Sequence, residues 1–453
     1  MTSRLPEVFI KLILALLSAA ALVFALMGWN IGMLLCLVFI MLIVGVPVAI
    51  ALAASCFVFI VLERSLPEVV LIHRMINGVD SFPLIAIPFF IMAGALMNSL
   101  GITDRIFEFA KALVGWLPGG LGHVNIWASV IFAGMSGAAV ADAGGLGMIE
   151  IKAMKDANYD SDFAVGITAA SSTIGPIIPP SLPMVVFGVM ASTSVGRLFA
   201  AGLIPGLVMA LALMVMVSWY ARKRSYPRDA SFSIRNLGRS FMQAGLSLLT
   251  PVIIVGGIIS GVFTPTEAAI AAVVYAVILG IYYRSLTWKK FLAVTFETME
   301  TTAVILFIVA GASIFAWILT SYRVADNLAA TIIMLTTNKY LVLLLVTGIT
   351  LVVGCFMETI ASITILVPVL LPVVTQVGVD PTHFGVIMVL NLMIGLLTPP
   401  VGMVLYVLAR VSDTPFEKCM RATAPFLLVL VAVLLLLTFV PAITLWLPGL
   451  LYD

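Results

Sequence analysis

Apolar runs long enough to cross a bilayer alternate with short polar loops along nearly the whole chain, and twice an apolar run is broken from within. The first break is GMSGAAVADAGGLG from Gly134, which leads on to STIGPIIPPS from Ser172. The second is GCFMETIASITILVP from Gly354, which leads on to GLLTPPVG from Gly395. Each Gly-led interruption precedes a Pro-Pro pair, Pro179-Pro180 and Pro399-Pro400, by the same 45 residues. An upstream marker repeats too, FIMAGA at 90–95 returning as FIVAGA at 307–312. The chain reads as a duplicated unit, and Gly/Pro-interrupted apolar segments at matching places in two halves point to a transporter's binding site.

The runs predict the following elements, with boundaries read from the periodicity. An N-terminal run at 12–27 follows Arg4 and Lys11; the next run begins at Ile31 with almost no polar spacer, which favours a retained helix over a cleaved signal peptide. As a single helix, 31–62 would extend roughly 48 Å against a hydrocarbon core of about 30 Å, so two short spans meeting near Gly45-Val46-Pro47 are predicted. A span at 83–100 follows. Thr103 and Asp104 are then placed to cap an amphipathic helix, TDRIFEFAKALVGWL, lying along the interface. Residues 124–150 carry the first polar interruption, 163–190 a broken span and 198–220 an unbroken one. Two spans at 246–283 turn at FTPTEAA, where Pro265 starts a helix with Glu267 as its first-turn acid. The second half repeats the order, with a span at 298–320, an interruption at 354–364, a broken span at 384–409 and a final span at 425–448. The fold class is therefore an all-α polytopic membrane protein of eleven spans and two re-entrant hairpins. Its predicted divisions are an extra helix at 1–30, scaffold helices at 31–82, a first repeat at 83–197, scaffold helices with a basic loop at 198–297, a second repeat at 298–410 and a C-terminal scaffold helix at 411–453.

Composition agrees and charge adds orientation. Hydrophobic residues make up 62% of the chain and charged ones 10%, where about 25% is usual for a soluble domain. A net charge of +2 gives no reason to expect nucleic acid. The loop ARKRSYPRDASFSIRNLGR holds six Lys or Arg against one Asp, which makes it cytoplasmic. If each interruption turns back as a hairpin, the FIMAGA helix enters from outside and the FIVAGA helix from the cytoplasm, so the repeats are inverted. The N-terminus then lies in the cytoplasm and the C-terminus outside. Cys36, Cys56, Cys355 and Cys419 show no metal spacing and are expected to be buried; His73, His123 and His383 are expected to be solvated or capping.

Backbone left unpaired in hydrocarbon costs several kcal/mol per group, so broken helices persist only where protein, water or a bound ion satisfies them. The interruptions bring hydroxyls with them: Ser136 opposite Ser171, Ser172 and Thr173 in one half, and Thr359, Ser362 or Thr364 opposite Thr398 in the other. Hard oxygen ligands suit Na⁺, and half-helix N-termini suit an anionic substrate. The alternative for each hydroxyl is a bond back to a carbonyl of its own helix. Asp142 and Glu358 are acids inside the interruptions, either functional or capping, since inserting a carboxylate costs about 2.5–3.5 kcal/mol. No G-x-x-x-x-G-K-[ST] loop occurs, which leaves an ion gradient as the driving force.

The motifs PFFIMAGALM, GWLPGGLGHV, GMSGAAVADAGGLG, STIGPIIPPS, GRLFAAGLIPG, GVFTPTEAA, GVDPTHFGV and GLLTPPVG stand in this order between about 31 and 445. This string resembles the large membrane subunit of tripartite ATP-independent periplasmic (TRAP) transporters, the DctM-like proteins of the ion transporter superfamily. The resemblance implies an elevator-type, Na⁺-coupled importer of organic acids in the bacterial inner membrane, working with a small four-helix membrane subunit and a periplasmic substrate-binding protein. Carried over by position, Gly134, Ser136, Ser171, Ser172, Thr173 and Gly175 form one Na⁺ site, and Gly354, Thr359, Ser362, Gly395, Thr398 and Pro399 the other. Substrate lies between the tips, near Ser136, Gly137, Asp142, Pro179, Pro180, Glu358, Ser362 and Pro400. Two departures stand out: Ala138 replaces a second hydroxyl after Ser-Gly, and the segment before Ile31 is additional. A stand-alone divalent anion:sodium symporter would share the broken helices. An intramembrane serine protease, prompted by Gly134-Met135-Ser136-Gly137, lacks a histidine base in mid-span.

Overall fold

The computed structural model describes residues 5–26, 30–63, 67–336 and 338–452, and every regular element among them is helical. Seven helices are long and apolar enough to cross a membrane, among them Val195–Arg224, Trp288–Ser321 and Phe416–Phe439; shorter apolar helices supply the rest. The eleven predicted spans are thus not eleven long helices. Asn30–Val44 and Val48–Glu63 meet at Gly45, whose φ of 92° is open to glycine, and Pro47 then starts the second helix, as the length argument requires.

Each repeat runs through the same series: two helices, a helix carrying the FIxAGA marker, an amphipathic helix, a hairpin, a broken helix and a long closing helix. The marker helices are Ala86–Ser99 and Trp288–Ser321, which pack on each other. Lys290 near the start of the second donates to the Ser99 carbonyl at the end of the first, 3.5 Å away, so the equivalent helices run in opposite directions. The repeats are inverted. They differ where Pro83 stops the first marker helix from continuing upstream. Val69–Val79 and the short turn Phe82–Ile85 there match one uninterrupted 34-residue helix in the second half, which contains no proline.

Three expectations change. The final span stops at Phe439 and resumes as Ala442–Tyr452, because Pro441 has no N–H to continue the ladder. Ile102–Val114 is capped by neither Thr103 nor Asp104: Gly101, at φ 72°, makes the turn, and Thr103 donates to Asn98 Oδ1 at 3.2 Å. Its apolar face, with Ile106, Phe107 and Ala110, is buried as the pattern requires. His123 and His383 are each only 2% exposed, the first 3.4 Å from Ser218 Oγ and the second 2.6 Å from Thr444 Oγ1. Their positions on hairpin and broken helix, packed against neighbouring spans, are what a one-dimensional reading of helix starts misses. The four cysteines are buried, and Thr264 and Glu267 close the capping box that FTPTEAA encodes.

The basic loop after Val195–Arg224 folds back over the start of the first hairpin. Asp229 Oδ2 accepts from the Leu121 N–H at 2.8 Å and from the Tyr159 hydroxyl at 2.5 Å, and Gly119 N donates to the Pro227 carbonyl at 3.0 Å. Beside them, the Tyr226 hydroxyl and Arg224 both donate to Asp160 Oδ2, at 2.6 and 2.7 Å. These bonds, the Tyr226 one foremost, hold the Asp160 carboxyl below its ordinary range. Its contribution is present above about pH 4 and fades as pH falls through the lowered value. With an exposed side chain on each partner, the Arg224–Asp160 pair adds little. Asp229 carries the strap: Asp229→Ala orphans two donors and should cost about 1–3 kcal/mol. Melting of the purified protein at pH 7 should fall by several degrees; an unchanged midpoint would make the strap a passive contact.

Candidate functional site

In the first half, Gly120–Ser136 goes in and Ala139–Gly144 with Leu146–Asp156 comes back. The tip turns at Gly137, whose φ of 61° suits glycine. A Cβ there would overlap the Pro180 carbonyl oxygen, so the tip rests directly on the gap between Ser161–Ser172 and Leu182–Met190. Gly134 lies as tightly on Pro251, and Gly175 on the carboxylate of Asp142, which is 2% exposed. Asp142 is therefore packed against the first gap. The Ser136 side chain lies outside the described residues.

The hydroxyls around that gap are buried and their protons are committed. Ser172 donates to Ala169 O at 2.8 Å and Thr173 to Ala170 O at 2.6 Å, the local bonding weighed above. Such a bond uses the hydrogen and leaves oxygen lone pairs free to meet a cation. Ser171 departs from this habit: its hydroxyl lies 2.6 Å from Asn125 Oδ1, on the hairpin. Asn125 and Glu150, both buried, form no motif along the sequence; 25 residues apart, they meet only once the hairpin folds.

The second half repeats the contact with different side chains. Lys339–Gly354 and Thr359–Gln376 form the hairpin, and Pro381–Gly395 and Met403–Ser412 the broken helix. Gly354 and Gly395 meet backbone to backbone: a Cβ built on Gly395 would lie 2.6 Å from the Gly354 Cα. Val401 N donates across the junction to the Cys355 carbonyl at 3.2 Å. Thr398 donates to Ile394 O at 2.8 Å and Ser362 to Glu358 O at 2.9 Å. Thr359 Oγ1, by contrast, is buried without a hydrogen-bond partner. Glu358 caps the returning helix, its Oε2 accepting from Ile360 N and Ala361 N at 2.9 and 3.2 Å. Both Pro-Pro bonds are cis, yet Pro179 and Pro180 are buried while Pro399 and Pro400 are exposed.

The two halves interlock. Ala139–Gly144 packs on Met403–Ser412, and Thr359–Gln376 packs on Leu182–Met190, so each hairpin's return strand braces the far part of the other half's broken helix. Val195–Arg224 and Phe416–Phe439 also pack on Ser161–Ser172, within the same bundle.

Comparison with known proteins places this architecture. Residues 35–443 match the family model of the tripartite ATP-independent periplasmic transporter, DctM component. The sialic acid TRAP transporter large permease protein SiaM of Vibrio cholerae is 49% identical over 407 residues, covering 90% of this chain and 95% of that protein. The sialic acid TRAP transporter permease protein SiaT of Haemophilus influenzae is 42% identical over 91% of this chain and 67% of its own length. The isethionate TRAP transporter permease protein DctMQ of Oleidesulfovibrio alaskensis is 40% identical over 90% of this chain and 65% of its own. Among solved structures, the YdaH transporter of Alcanivorax borkumensis shares the fold at a TM-score of 0.54 and 16% identity, covering 81% of this chain and 87% of that one.

The Gly354–Gly395 contact gives a direct test. A methyl group at Gly395 meets backbone rather than a yielding side chain, so Gly395→Ala should lift the tip and cost about 1–3 kcal/mol. Cys355, buried at that tip, should then react with a maleimide while Cys419 stays protected. Unchanged Cys355 labelling would show that the tip accommodates the methyl.

Proposed function

Because the chain belongs to the DctM component family of tripartite ATP-independent periplasmic transporters, we propose that this large permease drives the import of an organic acid with Na⁺. The observation that carries the reading is the duplicated contact of hairpin tip on helix gap, lined by hydroxyls whose protons are already spent and by the unpartnered Thr359 Oγ1. Ser171, Ser172, Thr173 and the Gly134–Gly137 turn would supply one set of oxygen ligands. Thr359 and Thr398 with the carbonyls near Gly354 and Gly395 would supply the other. Cation binding at each would fix a tip to its gap, and a substrate anion between the tips would add the negative charge that makes joint binding favourable.

Sialic acid and isethionate, after which these relatives are named, are both oxyanions, a carboxylate and a sulfonate. The 49% relative makes a carboxylated sugar acid the first substrate to try. The word tripartite in the family's description supports a small membrane subunit and a periplasmic binding protein as partners. In this reading the multi-pass chain sits in the inner membrane, N-terminus in the cytoplasm and C-terminus in the periplasm, and lipid covers its apolar outer faces. The hairpins and broken helices move as one body against a frame of the remaining spans, in the manner of an elevator. Val195–Arg224 and Phe416–Phe439 belong to that frame, and their packing on Ser161–Ser172 is where frame and moving body would meet.

The relatives are permeases, and the chain is no enzyme. His123 stands thirteen positions before Ser136 on one helix, roughly 20 Å at 1.5 Å per residue, too far to act as its base.

Three measurements test the reading. In proteoliposomes holding the full complex, replacing Na⁺ by choline at constant pH should abolish uptake; unchanged uptake would refute Na⁺ coupling. Omitting the periplasmic protein and the small subunit should also abolish it, whereas full-rate uptake by this chain alone would favour the stand-alone symporter. Ser172→Ala and Thr398→Ala should each raise the Na⁺ half-saturation about tenfold or more, from the loss of about 1.5–3 kcal/mol per charge-assisted contact. Wild-type titrations in both would make these hydroxyls structural only.

A further inference from the structure

The first gap is backed by a buried polar cluster that the second gap lacks. Asn125 Nδ2 lies 2.7 Å from Glu150 Oε2 and 2.7 Å from Thr168 Oγ1, and Ser171 Oγ lies 2.6 Å from Asn125 Oδ1. Asn125 is 0% exposed, Glu150 and Thr168 are 1% each, and Ser171 is 0%. With Glu150 ionised, the contacts admit one hydrogen-bond direction. A carboxylate only accepts, so the amide must turn its NH₂ toward Glu150, and its second hydrogen then serves Thr168. The amide oxygen is left facing Ser171, whose single proton it takes. A flipped amide would set two oxygens against each other at the Glu150 end.

Rotation of the Ser171 hydroxyl is therefore fixed from the far side of the hairpin. Its alternative acceptor, the Thr168 carbonyl, is longer at 3.2 Å. With the proton held toward Asn125, the lone pairs point away from it. Glu150 also brings a buried carboxyl group: its Oε1 has no hydrogen-bond partner, and no basic side chain pairs with it among the described residues. The ionised form of such a group is costly unless a cation stands near.

The duplication supplies an internal comparison. At the offset of 220 that relates Gly134 to Gly354 and Pro179 to Pro399, Asn125, Glu150, Thr168 and Ser171 correspond to Leu345, Leu370, Met388 and Asn391. None of these four counterparts is an acid. Asn391 donates instead to the Thr347 carbonyl at 2.7 Å.

We propose that Asn125 and Glu150 are positioning residues for the cation site of the first gap, orienting the Ser171 oxygen and supplying negative charge behind it, so that the two gaps bind Na⁺ unequally. This rests on the Na⁺ reading above. Glu150→Gln keeps the volume and an acceptor oxygen for Asn125 but removes the charge. In the reconstituted complex it should raise the Na⁺ half-saturation at least fivefold, with maximal rate and substrate half-saturation at saturating Na⁺ within twofold of wild type. Ser171→Ala, which removes the oriented oxygen itself, should raise the Na⁺ half-saturation as well. Combined with Thr398→Ala in the other half, each effect should multiply.

Two results would overturn the proposal. One is a wild-type Na⁺ titration in Glu150→Gln. The other is a fall in maximal rate and in Na⁺-free melting temperature without a Na⁺ shift, which marks a purely structural role. Na⁺-independent uptake by the wild type would instead remove the coupling itself, so the two failures are told apart.

Discussion

Every structural choice in this chain follows from one constraint: peptide groups inside hydrocarbon must find partners within the protein. A helix that stops in mid-membrane leaves N–H and C=O groups unpaired, and here each stop is met by the tip of a re-entrant hairpin. Glycine makes the meeting close enough. Gly137 against Pro180 and Gly395 against Gly354 bring backbone onto backbone, and a single methyl at either place would intrude. The remaining polar groups face a gap where oxygen atoms dominate. In the proposed reading a small, hard cation fills such a gap, and its binding ties the tip to the gap. Structure and proposed coupling therefore rest on the same few contacts.

Inversion turns these contacts into a pair. The marker helices run antiparallel, as the Lys290–Ser99 contact requires, and the return arm of each hairpin braces the other half's broken helix. The halves have nonetheless diverged. The first gap is backed by Asn125, Glu150 and Thr168 and closed over Pro179-Pro180, while the second keeps Pro399-Pro400 exposed and leaves Thr359 Oγ1 without a partner. Duplication conserved the backbone solution and freed the side chains to differ.

Most of the fold was legible in the sequence because its signals are local or periodic. Apolar runs report spans, Gly and Pro report breaks, and the repeated 45-residue spacing reports the duplication. The capping box at Thr264 and Glu267 is a four-residue signal and formed as written. What escaped has the opposite character. The Asn125–Glu150 pair and the burial of His123 and His383 depend on which helix faces which, and no window along the chain contains that information. The misplaced cap at Thr103 shows a subtler limit. Gly101 offered a left-handed turn just upstream, and backbone freedom won over side-chain capping.

Binding of the ion itself tests the central claim most directly. Radioactive Na⁺ bound to the purified chain at equilibrium, with choline as ionic-strength control, should saturate at two ions per chain. Thr359→Val, which removes only the hydroxyl at the second tip, should abolish one of them and leave the other at wild-type affinity. Absence of saturable binding, or two sites that persist in Thr359→Val, would contradict an account in which each tip and gap together hold one cation.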